Sequence, residues 1–225
     1  MGGTVVTDSF ININGDNIQT LQIIFITTLI SLAPSLVVMM TSFGRYVISL
    51  SFLRTAMGTQ QSPPNLVLTG IALFLTLFTM SPVLTEINET AYEPYAAELI
   101  SQEEFLDRAA VPLKRFMLRN TEPATLDMYC EMAHVDTVEG EEAMDLSMWL
   151  IVPAFMTCEL KRAFLIGFLV YIPFTLIDII VSSTLMSMGM VMLPPAMISA
   201  PFKLLLFISV NGWELMFSTL IRGVH

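Results

Sequence analysis

The stretch Thr41–Pro82, TSFGRYVISLSFLRTAMGTQQSPPNLVLTGIALFLTLFTMSP, sets two arginines and a Gln-Gln-x-Pro-Pro-Asn break between two hydrophobic segments. Leu21 to Met40 is a run of 20 uncharged, mostly apolar residues, and Thr55 to Thr85 carries no charge at all. Each reaches the roughly 20 apolar residues that a ~30 Å hydrocarbon core requires of a helix. Pro63 and Pro64 lack a backbone donor, and each disfavours helical geometry in the residue before it. A helix arriving through Leu53 is therefore expected to end near Gln61, with the chain turning over Gln60, Gln61, Pro63, Pro64 and Asn65.

Composition agrees with membrane helices. Of 225 residues, 54% are hydrophobic and 13% charged, with a mean hydropathy of +0.70, outside the range of a soluble globular enzyme. One chain cannot cover that much apolar surface by itself, which leaves lipid or sister subunits to do so. The net charge of -10 is concentrated: residues 85–145 hold 15 acidic and 4 basic side chains, and the rest nearly balances. Basic clustering of the kind that binds nucleic acid is missing, so that partner is discarded. Arg45 and Arg54 are the only charges between Met40 and Glu86, and the positive-inside bias puts their turn on the cytoplasmic side and the acidic segment outside. Cys130 and Cys158 would permit a disulfide there, but a pair this far apart is more often two buried apolar side chains.

The expected architecture is all-α, built from long helical hairpins broken by prolines. Its parts are a polar arm over 1–20, a first hydrophobic hairpin over 21–84, an acidic helical segment over 85–145 and a second hydrophobic hairpin over 146–225, in one integrated domain. Met1 to Thr20 has neither a basic leader nor an apolar core, so it reads as a mature start or as a chain whose leader is missing. Ser101 to Asn120 opens with a Ser-x-x-Glu capping box and repeats Phe105, Ala109, Leu113 and Phe116 along one stripe, with Pro112 expected to divide it into two short helices. Thr121 and Pro123 start a helix through Met132, with Leu126, Tyr129 and Met132 as its buried face; 139–142 is a solvated acidic connector. Beyond Leu146 the prolines at 153, 173, 194, 195 and 201 are expected to set the segments. Arg162 and Asp178 bound 15 uncharged residues, short for a span, and the 24 from Ile179 to Phe202 are interrupted by Pro194 and Pro195. Broken apolar backbone at membrane depth suits a pore lining or a subunit interface.

Catalytic motifs are not found, and His134 and His225 stand singly. No metal site or cofactor is expected. An intramembrane protease or a proton-driven transporter needs ionisable groups at membrane depth, and Asp178, Lys203 and Glu214 are the available ones. Counting helical rises on either side of a turn at Pro194 and Pro195 sets Asp178 and Lys203 about 8 rises, or ~12 Å, apart in height. Lys203 is therefore expected to find Glu159 on another helix or another subunit, or else to snorkel alone. Asp178 and Lys203 also support a competing class, a small multi-pass transporter coupled to an ion or proton. Met186, Met188, Met190 and Met192 alternate with Ser187, Gly189 and Val191 before the break. Such side chains either fill an irregular core or form a deformable pore gasket, and the residues alone favour the core.

The same motif block, together with GIALFLTLFTMSPV, ELKRAF at Glu159 to Phe164, MGMVMLPP at Met188 to Pro195 and PFKLLLF at Pro201 to Phe207, resembles the FliP family of flagellar type III secretion, homologous to the injectisome SctR family. The resemblance covers about residues 20 to 220. It implies a core subunit of the flagellar protein export gate in the bacterial inner membrane, at the flagellar basal body. In the family this subunit is a homo-oligomer, pentameric, that joins FliQ and FliR, with FlhB and FlhA nearby, to pass unfolded flagellar proteins without catalysis of its own. It also implies a methionine-rich pore loop, and so favours the gasket reading of Met186, Met188, Met190 and Met192; Val191 at the centre would stiffen the seal. The family usually carries a cleavable signal peptide, which the opening residues here do not resemble.

Overall fold

A computed structural model describes residues 12–13, 16–17, 27–28, 31, 35, 38–59, 61–136, 140–190 and 192–224. Most of the expected span Leu21 to Met40, most of the polar arm, Gln60, Val191 and His225 lie outside the described residues. The chain divides into two compact units, Met1–Val38 and Met39–His225. In the first, β1 (Asn12–Ile13) and β2 (Asp16–Asn17) pair antiparallel, with Asn12 opposite Asn17 and Ile13 opposite Asp16.

The regular structure described in the second unit is helical. Helix α1 (Phe43–Met57) stops where Gly58 adopts φ 71°, a left-handed cap that costs glycine little, so the turn begins before the prolines. Helix α2 (Asn65–Ile87) continues through a π-helical turn at Asn88–Tyr92 into α3 (Glu93–Ala96). Helix α4 (Gln102–Arg119) starts as its sequence indicates: Ser101 Oγ accepts from Glu104 N at 3.2 Å. Pro112 does not divide it. Helix α5 (Pro123–Met132) follows and buries Leu126 and Cys130, whereas Met132, expected on that face, is 61% exposed.

Helix α6 (Met148–Ser187) is the main correction to the sequence reading. It runs 40 residues through Pro153 and Pro173, about 60 Å at 1.5 Å per residue, where shorter segments were expected. A proline removes one helical hydrogen bond but holds a helical φ, and a helix packed on both neighbours tolerates that loss. The break does occur at Pro194 and Pro195, where α7 (Pro195–Ser209) begins; α8 (Gly212–Arg222) follows at 64° to it. Among the described residues, two stretches suit a membrane crossing by length and composition, Asn65–Ala96 and Met148–Ser187, and the bent α7–α8 pair would make a third.

Two apolar cores hold the unit. One joins α1, α2 and the later helices through Tyr46, Leu50, Leu68, Phe174, Phe207 and Leu220. The other seats the first turns of α6 on the acidic segment, through Met80, Phe116, Cys130, Ile151 and Phe155. Cys130 and Cys158 are both buried and free, so no disulfide links them. The later part of α6 changes character: Phe164, Phe168, Leu169, Leu176, Ile179 and Ile180 are all exposed.

Candidate functional site

Arg45 and Glu159 form the most buried polar contact described. Arg45 Nε donates to Glu159 Oε2 at 2.8 Å, Nη2 pairs with Oε1, and Nη1 reaches the carbonyl of Gly223; both side chains are at most 1% exposed. Arg162 adds a second cation 3.6 Å from Glu159 Oε1 and donates to the carbonyl of Asn120 at 2.8 Å. One carboxylate thus ties α1 to α6, and its two arginines reach the end of the chain and the α4–α5 turn. A guanidinium fork matches a carboxylate in this bidentate way. The finding corrects the expected pairing of Glu159 with Lys203. Arg45, read only as a charge of the turn, is an internal ion-pair member, and Glu159, expected to pair with Lys203, is already satisfied within its own chain.

Lys203 is satisfied as well. Its Nζ lies 2.6 Å from Asp178 Oδ2 and donates to the carbonyl of Ala56 at 3.1 Å, while Ser199 Oγ donates to Asp178 Oδ1 at 2.6 Å. The expected ~12 Å offset treated loop residues as helix. In fact Asp178 is about nine rises before the end of α6 and Lys203 about eight after the start of α7, so the two are level, and the seven residues between add no height. The pair also anchors α1, because Ala56 O belongs to its open C-terminal turn. Arg54 closes the proline break from the other side, donating to Asn65 Oδ1 and, at 3.3 Å, to the carbonyl of Pro63.

The methionine loop leaves the packed body. Helix α6 ends at Ser187, and Gly189 takes φ 75°, a left-handed conformation that explains its place in the alternation. Met186, Met188 and Met192 are 70%, 67% and 96% exposed, and Met190 is 39% exposed. These side chains do not fill the core of their own chain, so the residue-level preference for a core role is corrected. Pro195 then restarts the helix at a position where its missing donor is harmless.

Three features escaped the sequence reading. The Arg45–Glu159 pair spans 114 residues, and no local pattern announces it. The Lys203–Asp178 pair depended on where the helix ends. Gly167 marks the crossing of α6 on α1, since a Cβ there would lie 2.5 Å from the Phe52 ring.

Apolar helices interlocked by ion pairs, with wide uncovered apolar faces and an exposed methionine-bearing loop, define a membrane-associated protein. The sequence matches the FliP family over residues 26–220. It is 44% identical over 209 residues to the flagellar biosynthetic protein FliP of Aquifex aeolicus, covering 93% of this chain and 87% of that one. It is 45% identical over 221 residues to that of Bacillus subtilis, covering 96% and 99%, and 46% over 214 residues to that of Pectobacterium carotovorum, covering 94% and 82%. The chain belongs to the FliP family, and with it to the membrane-associated flagellar export apparatus.

Proposed function

We propose that the chain is a core subunit of the flagellar export gate: several copies close a ring whose methionine loops seal the channel for unfolded flagellar proteins. The observation that carries this reading is the α6–α7 hairpin. Its apolar face lies uncovered at Phe168, Ile172, Leu176 and Ile179, and its tip presents Met186, Met188, Met190 and Met192 to the outside. Uncovered apolar surface of this extent requires a partner, and thioether chains at a tip can yield around varied polypeptides and close again. Gly189 is part of the tip. The family resemblance supports a pentamer with FliQ and FliR, and FlhB and FlhA as neighbours, in the bacterial inner membrane. No step in this reading calls for catalysis. The competing ion-coupled transporter needed Asp178 or Lys203 to seek a ligand, and each has its partners within the chain.

The acidic segment, 85–145, is proposed to face the extracytoplasmic side, supported by its charge and by Arg54 at the opposite turn. The mass of the detergent-extracted particle tests the assembly. The gate reading expects a closed multi-copy complex that grows on adding the partner subunits, and a monomer binding a small ion would contradict it. Orientation is read separately, with a membrane-impermeant thiol reagent on a Glu103→Cys variant in cells with a permeable outer layer. Labelling only after lysis would invert the topology.

A further inference from the structure

We propose that the cleft between α2, α4 and the end of α8 holds the phosphate of an anionic phospholipid. The cleft has a volume of about 380 Å³, and Phe78, Pro82, Val83, Arg115, Arg119 and Ile221 are among its lining residues. Its walls differ in chemistry along α2. Phe78, Pro82 and Val83 belong to the uncharged stretch that ends at Thr85, while Glu86 opens the acidic segment one turn later. In a membrane-spanning α2 the apolar wall lies at hydrocarbon depth and the charged wall at the headgroups.

The charged wall is not balanced. Arg115 Nη1 donates to Glu86 Oε1, which uses the only carboxylate among the described residues lining the cleft. Arg119 follows one turn later on α4, exposed, with no hydrogen bond or ion pair among the described residues. Two guanidinium groups against one carboxylate leave one positive charge, which suits the single charge of a phosphodiester. Arginine recognises phosphate by a two-pronged hydrogen bond, and its apolar stem lies along a lipid chain. A soluble phosphate would use the charged wall alone; a phospholipid also covers Phe78, which is 66% exposed.

The test uses the assembled complex, reconstituted in vesicles with equal phosphatidylglycerol and phosphatidylcholine, re-extracted and weighed by native mass spectrometry. Preferential retention of phosphatidylglycerol is expected. Arg119→Gln should lower it roughly tenfold, the loss expected for a charge-assisted hydrogen bond in a partly wet site. Arg222→Gln should leave it unchanged, because Arg222 is also exposed but does not line the cleft. Helical content and complex mass confirm that both variants fold. Equal retention of the two lipids would overturn the proposal, as would an equal loss in both variants. Saturation by inorganic phosphate in lipid-free detergent, with no lipid retained, would assign the cleft to a soluble anion and also overturn it.

Discussion

Lys203 Nζ sits 2.6 Å from Asp178 Oδ2 and within hydrogen-bond reach of the last turn of α1, so one cation fixes both the α6–α7 hairpin and the helix before the proline break. The Lys203 side chain is 8% exposed and that of Asp178 40%, which places the pair between a surface contact and a buried one.

Lys203→Met should therefore cost ~1 to 3 kcal/mol, less than the ~3 to 5 kcal/mol of a fully buried pair, because water reaches the carboxylate left behind. Asp178→Asn should cost more than Lys203→Met, since it strands a buried ammonium. Thermal unfolding of the detergent-extracted protein checks the order, and the double variant should be milder than the sum of the two.

Glu159→Gln is expected to be the most damaging conservative change. It leaves Arg45 buried without a carboxylate and removes the ion-pair partner of Arg162, a loss of ~3 to 5 kcal/mol. The folded yield should fall sharply. Replacing Arg45 and Glu159 together by Met and Leu should recover much of it, because an apolar pair of similar volume needs no solvation.

Gly167→Ala places a methyl group against the Phe52 ring, which already packs on Phe164 with centroids 5.3 Å apart. The crossing of α1 and α6 must open, at ~1 to 3 kcal/mol for an overpacked contact. Phe52→Leu in the same chain should relieve part of it. A lower melting temperature in the single variant, partly restored in the double, is the expected readout.

Cys130 gives a pH test outside the spanning segments. Burial first, and Asp127 second, push its thiol above the ordinary value, so the folded state holds the proton where the unfolded chain releases it. Stability contributed by this group is present below the unfolded pKa and is lost as pH rises beyond it. Alkylation of Cys130 by a maleimide should be slow in the folded protein and should follow unfolding. Cys130→Ala should flatten the alkaline fall in stability.

The helical class, the proline break at 63–64, the capping box at Ser101 and the loop before Pro195 were legible, because each depends on residues close in sequence. Prolines 112, 153, 173 and 201 misled, since each lies inside a continuous helix that tolerates the single bond it removes. The ion pairs were illegible for another reason: Arg45 and Glu159 meet across 114 residues, and the pairing of Lys203 with Asp178 required the end of α6, which a few loop residues shift by a full turn. The role proposed for the methionines came from the family resemblance, and their exposure is what the chain itself adds.

The gate claim is tested most directly by a Met188→Ala, Met190→Ala, Met192→Ala triple variant, with membrane conductance and complex mass measured on one preparation. Exposed side chains at a loop tip contribute little to the packing of their own chain, so the complex should keep its mass while the closed channel leaks small ions. A core role would instead cost ~2 to 5 kcal/mol per truncation and break the complex. An intact complex with a raised resting conductance is the predicted result; loss of assembly without a leak, or an intact complex that stays tight, would contradict it.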